Sequence, residues 1–364
     1  SLQKEINRFA AINTGISLAT NKTSHYVTMH DMLGALSFHN INTYALGQYN
    51  ADDPRVQYDL RNPNGFVGVG DRFSFDFDYL VNKANWWATL KYDKGRMHSF
   101  ISGRIGGVGM SRDGNMQNGM APENSYGESP TAFFLDGGGK AGIHYNIGQG
   151  NVVTLGLGYE WKAPQVRTAF ISPQVCNDFV TDLKNEKVLS AELGYQIQLP
   201  WMKANITGYY SQIKDETEWQ NFYYDDINSF SYVSMTGINK EYYGVEWGIN
   251  FKVTNEFNIK TIGTIAEAKN TNNAHVWYMS STTGTYNDNN EHKPEMVLNK
   301  NMRESGTPLT AASLILSYHK WGWFIDLNCN YYDRIYLSYS PSFRYESTTS
   351  RSEERRVGKE WRSR

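Results

Sequence analysis

The 364 residues carry a formal charge of −2, and they include 25 Tyr, 10 Trp and 32 Gly but only 10 Pro. A near-neutral chain of mean hydropathy −0.57 gives no electrostatic reason to expect a nucleic-acid partner, and it holds no run of ~18 apolar residues that would make a membrane-crossing helix. A polar chain rich in Tyr, Trp and Gly suits a strand wall in which every second residue meets lipid, and it equally suits a soluble β-sandwich.

The chain starts at Ser1 without Met or a signal peptide, so its true start is expected upstream. Asp52 and Asp53, just before Pro54, read as the start of a loop. Phe73, Phe75, Phe77 and Tyr79 then alternate with Ser74, Asp76 and Asp78, the period of a strand. Gly137-Gly138-Gly139-Lys140-Ala141-Gly142 satisfies GxGxxG in form, but reads as a loop-to-strand junction with no helix behind it to hold a pyrophosphate.

Three longer segments show the same alternation. Val153, Leu155, Leu157, Tyr159 and Trp161 oppose Thr154, Gly156, Gly158 and Glu160. In 188–199, Leu189, Leu193, Tyr195 and Ile197 oppose Ser190, Glu192, Gly194 and Gln196; in 242–253, Tyr243, Val245, Trp247, Ile249 and Phe251 oppose Gly244, Glu246, Gly248 and Asn250. These segments have the length, about 10–12 residues, that a tilted strand needs to cross a bilayer. Tight turns are expected at Ile147–Asn151, Leu199–Met202 and His319–Gly322, and long polar loops at 111–138, 162–186, 215–235 and 270–308. Short turns on one side and long loops on the other are the asymmetry of outer-membrane barrels. Counting strands back from the hairpin at 139–161 puts 24–66 on the short-turn side, for which it is far too long, so residues 1–72 are placed only loosely.

Both a barrel and a sandwich alternate, and the large aromatics discriminate between them. Tyr159 and Trp161 end a strand, Trp201, Trp321 and Trp323 sit at turns, and Tyr331, Tyr332, Tyr336 and Tyr339 crowd the end of the last strands. A ring with one wet and one apolar edge belongs at the headgroup boundary. The sequence therefore predicts an all-β protein: an antiparallel transmembrane β-barrel, present as a partial barrel of about 11–13 strands, an open curved sheet.

The last fourteen residues, 351–364, hold six basic and three acidic residues, and without them the formal charge would be −5. They resemble the conceptual translation of a sequencing-library adapter. The expected division is a barrel portion over 1–350 and a non-native tail over 351–364. Cys176 and Cys329 are expected to be unpaired. The eight His are scattered, Asn287–Glu291 lacks the spacing of an EF-hand loop, and no Ser-His-Asp set stands above chance. No catalytic residue, metal site or cofactor is expected.

Leu183-Lys184-Asn185-Glu186-Lys187, followed by Glu192-Leu193-Gly194-Tyr195, resembles a signature of TonB-dependent receptor barrels. Ala204–Tyr210, Tyr242-Tyr243-Gly244-Val245-Glu246, Gly306-Thr307-Pro308 and Asp333-Arg334-Ile335-Tyr336 are similar to later segments of that family. The resemblance covers most of 70–345. It implies a barrel of about 22 strands around an N-terminal plug, set in outer-membrane lipid of a Gram-negative bacterium and energised by an inner-membrane complex acting through the plug. The implied cargo is a small-molecule, glycan or peptide nutrient. Plug, energy-coupling box and a final strand ending in an aromatic residue are missing here, as truncation at both ends predicts. Ligand capture would fall to loop aromatics: Trp219, Phe222, Tyr223 and Tyr224 in 215–235, and Trp277 and Tyr278 in 270–308, which equally serve to pack loop on loop. The alternatives are a passive or adhesive outer-membrane barrel and a secreted, soluble carbohydrate-binding β-protein.

Overall fold

The computed structural model describes residues 1–224, 229–280, 294–347 and 349, with side chains omitted over 220–232. The tail 351–364 and Asn287–Glu291 lie outside the described residues. In chain order the strands are β1 (Leu2–Asn7), β2 (Ala10–Thr28), β3 (Phe38–His39), β4 (Phe66–Val67), β5 (Arg72–Lys94), β6 (Met97–Gly114), β7 (Gly127–Glu128), β8 (Ala132–Gly148) and β9 (Asn151–Lys162). A four-residue helix α1 (Val166–Ala169) follows, then β10 (Glu186–Gln198), β11 (Met202–Tyr224), β12 (Ser229–Lys252), β13 (Phe257–Asn270), β14 (Ala274–Ser280), β15 (Glu295–Val297), β16 (Thr310–Lys320) and β17 (Trp323–Asp333).

Twelve of these form one antiparallel path, β1-β2-β5-β6-β8-β9-β10-β11-β12-β13-β16-β17, and among the described residues the path does not close: there β1 pairs only with β2 and β17 only with β16. The expected open curved sheet is what the chain forms. Its short turns follow from backbone chemistry. Trp321 (φ 50°) and Gly322 (φ 83°) are consecutive left-handed residues, as are Gln149 (φ 53°) and Gly150 (φ 79°). Two such residues match the right-handed twist of the flanking strands, so Lys320 pairs directly with Trp323.

The two faces of the sheet differ in kind. Leu155, Leu193, Gly208, Val245 and Ile265 are successive cross-strand partners and share one face. Leu155, Leu193, Val245 and Ile265 are exposed there, as are Leu157, Tyr159, Leu189 and Tyr243. Gly142, Gly156, Glu192, Tyr209 and Gly244 are successive partners on the opposite face. One side is therefore a band of exposed aliphatics, the other polar and glycine-rich. This inverts the usual soluble arrangement, in which aliphatics face a core. Trp201, Trp321 and Trp323 stand exposed at the short-turn end of the band.

The structure corrects three sequence expectations. β5 is a single 23-residue strand running to a tight turn at Gly95, so 29–71 is a long-side loop between the paired strands β2 and β5. The outward positions Asn82 and Ala84 interrupt its apolar alternation, which hid its continuity. Gly137–Gly142 lies inside β8, where Trp161 packs over Gly137 at a distance that a Cβ would not allow. The segment 215–235 is mostly strand, because β11 and β12 pair as far as Tyr224 and Ser229. Phe77 and Tyr79, whose alternation gave the strand, point to the polar face, where they are buried with Val108 and Met110 beneath Ala169 and Phe170.

Candidate functional site at the mouth of the wall

The long strands rise past the aliphatic band and carry a packed layer of loops. Trp277 and Met279 pack on Ile171, Val175, Cys176 and Val180 of the 163–185 segment, while Val276 and Tyr278 pack with Val233, Met235, Val297 and Tyr345 on the other face of β14. Arg112, near the top of β6, ties two loops together. It donates to the Pro173 carbonyl at 2.7 Å, the Ser125 carbonyl at 3.0 Å and Asn177 Oδ1 at 2.5 Å. Burial pushes its guanidinium down to about 10, which leaves it charged at neutral pH.

Below this layer the inner face of the wall bears a charged network. Arg104 reaches Asp136 at 3.0 Å, Glu160 at 2.8 Å and Asn85 at 3.0 Å. Arg104, Asp136 and Glu160 edge a cavity of about 700 Å³ lined also by Val81, Val108, Met110 and residues 163–166. A volume of this order admits a small organic ligand.

A second network sits above the band on β11 and β12. Lys240 lies 2.6 Å from Glu218, 2.9 Å from Glu304 and 3.1 Å from Glu216, and Tyr242 donates to Glu304 at 3.1 Å. Burial alone would lower the Lys240 pKa, but Glu218 and Glu216 outweigh it and raise it. Glu216 is also raised, because the cost of burying its charge exceeds the pull of Lys240. Glu304 belongs to the 298–309 segment, whose Arg303 pairs with Glu267 on the aliphatic side of the sheet. Consecutive residues thus pin this segment to both faces of the wall.

Of the six aromatics read from the sequence, Trp277 and Tyr278 are buried at 5% and 3% exposure, and Tyr278 stacks on Tyr345 with ring centroids 5.8 Å apart. Trp219 is half-buried, with the Arg167 guanidinium 4.5 Å from its ring centroid. Side chains of Phe222, Tyr223 and Tyr224 lie outside the described residues. Arg104, Asp136, Lys240 and Glu304 were not legible as site residues, because their partners lie from 22 to 64 positions away in the chain. Among the described residues no three His, Cys, Asp or Glu side chains gather as a metal-ligating group, and neither cysteine forms a disulfide.

No protein-family model matches the chain. No curated protein matches it either. Among solved structures it is similar to the copper transporter OprC, with a TM-score of 0.55 at 13% identity over 87% of this chain and 40% of that one. The FrpB iron transporter from Neisseria meningitidis (F3-3 variant) gives 0.49 at 11% identity over 90% and 40%, and the structure of the FpvAI–pyocin S2 complex gives 0.45 at 14% over 88% and 34%. The chain spans about two fifths of the length of OprC. At such identities the likeness is one of fold, and the OprC superposition carries it. The exposed aliphatic face, the short turns opposite long loops and this superposition agree: the chain has the fold of the barrel wall of TonB-dependent outer-membrane transporters.

Proposed function

We propose that this chain forms part of the wall of an outer-membrane receptor for active nutrient uptake, enclosing a plug supplied by sequence outside these 364 residues. The observation that carries this reading is the inverted sheet. An antiparallel wall with exposed Leu155, Leu157, Leu193 and Val245 on one face needs a lipid solvent. A face of glycines and carboxylates on the other side suits a water-lined or plug-filled lumen. Energy would come from an inner-membrane complex acting on that plug.

Ligand capture falls to the loop layer. In this proposal Trp277 and Tyr278 hold the platform by packing, and Trp219, with Arg167 over its ring, is the aromatic nearest the role of contact. In this proposal residues 351–364 are a non-native tail. The test is expression of the chain behind an export signal in a Gram-negative host, followed by fractionation. Retention in the outer membrane through an alkaline wash is expected. Recovery as a detergent-free soluble protein would overturn the reading in favour of a secreted β-protein.

A further inference from the structure

Directly above the aliphatic band, on the lipid side, two lysines face each other. Lys187 of β10 and Lys214 of β11 are cross-strand partners, and Lys187 is also opposite Trp161 of β9. Trp161 shares its face with Leu157 and Tyr159, so both lysines project outward at the upper edge of the band. Like charges in direct cross-strand register destabilise a sheet. Asp215 answers only half of this repulsion: it pairs with Lys187 at 2.9 Å, while exposed Lys214 makes no ion pair among the described residues. One position down on the same face, Glu241 and Lys269 are paired at 3.0 Å. The patch of Lys187, Lys214 and Lys269 against Asp215 and Glu241 therefore keeps one cation in excess.

We propose that the Lys187–Lys214 pair is a binding site for the phosphorylated head group of a lipid in the outer leaflet. This rests on the outer-membrane reading above. Three features select that occupant over a soluble one. The lysines point away from the lumen, so a transported ligand does not meet them. They sit where Tyr159 and Trp161 place the headgroup boundary. An anion between them removes the like-charge repulsion that Asp215 leaves. The acyl chains of the same molecule then lie along Leu157, Leu189 and Leu193, which are exposed directly below.

The experiment compares the chain with Lys187→Gln/Lys214→Gln in phosphatidylcholine vesicles doped with a bis-phosphorylated glycolipid. Retained glycolipid is read by mass spectrometry after detergent extraction. Lys260→Gln, on the inner face in register with Asn250, serves as the control. At a factor of roughly five per surface lysine, the double variant should retain on the order of 25-fold less glycolipid, in a salt-dependent manner. Unchanged retention in a variant that still inserts would overturn the site. Equal loss in Lys260→Gln would overturn it too, by showing a general charge effect. Failure of the unaltered chain to insert at all would instead refute the membrane reading.

Discussion

Lys240 shows what a single residue can decide in this wall. Its ammonium answers three carboxylates, Glu216 and Glu218 of β11 and Glu304 of the 298–309 segment. Replacing it, as in Lys240→Met, leaves three acids facing each other. We expect a loss of about 2–4 kcal/mol at neutral pH, reduced from the fully buried case because Glu218 and Glu304 are each about a third exposed. The sign with pH is definite. Glu216 already has a raised pKa, so its contribution favours folding below the ordinary carboxylate range and is lost as pH rises through the folded value. In the variant Glu216 also loses the pull of Lys240, so the deficit should shrink as pH falls. Thermal unfolding in detergent at pH 4.5 and 8 measures this, and a deficit independent of pH would contradict it. The sequence showed that Glu160, Glu192 and Glu246 share the polar face, because alternation fixes the face. It could not show which acids converge on one lysine, since that depends on register between strands.

At the scale of elements, the alternation and the tight turns were legible because both are local. A period of two needs only neighbouring residues, and Trp321-Gly322 or Gln149-Gly150 declare their turns through backbone preference. The hairpin β16–β17 gives the sharpest check. Gly322 holds φ 83° with no atom near its would-be Cβ, so Gly322→Ala meets no clash and reports backbone strain alone. It should cost at least about 1 kcal/mol, whereas Lys320→Gln beside it should cost little, as a denaturant titration would show. The heights of the strands were not legible. Left-handed Ser74 marks a two-residue bulge in β5, while left-handed Asp215 and the irregular register around Gly237 each add one residue, to β11 and β12, and flip the parity above them. An unbroken period of two cannot be followed through such bulges, so strand above the band was read as loop in 215–235.

At the scale of the whole molecule, the open path has a physical consequence. Every residue of β17 is exposed, and β1 and β17 each present one row of backbone donors and acceptors with no strand beside it among the described residues. Such an edge is a template for another strand, and within lipid an unsatisfied backbone group costs several kcal/mol. This chain alone in detergent should therefore pair its edges with those of other copies. Cys329 is a built-in reporter: it lies on β17 and is exposed, whereas Cys176 is buried in the loop layer. Light scattering should give a mass that rises with concentration. Mild oxidation should give disulfide-linked dimers that vanish in Cys329→Ser and persist in Cys176→Ser. A monomer at every concentration would mean that the two edges have met in solution and the wall has closed on itself. A smaller barrel would then replace the open sheet, and with it the need for further strands to complete the lumen.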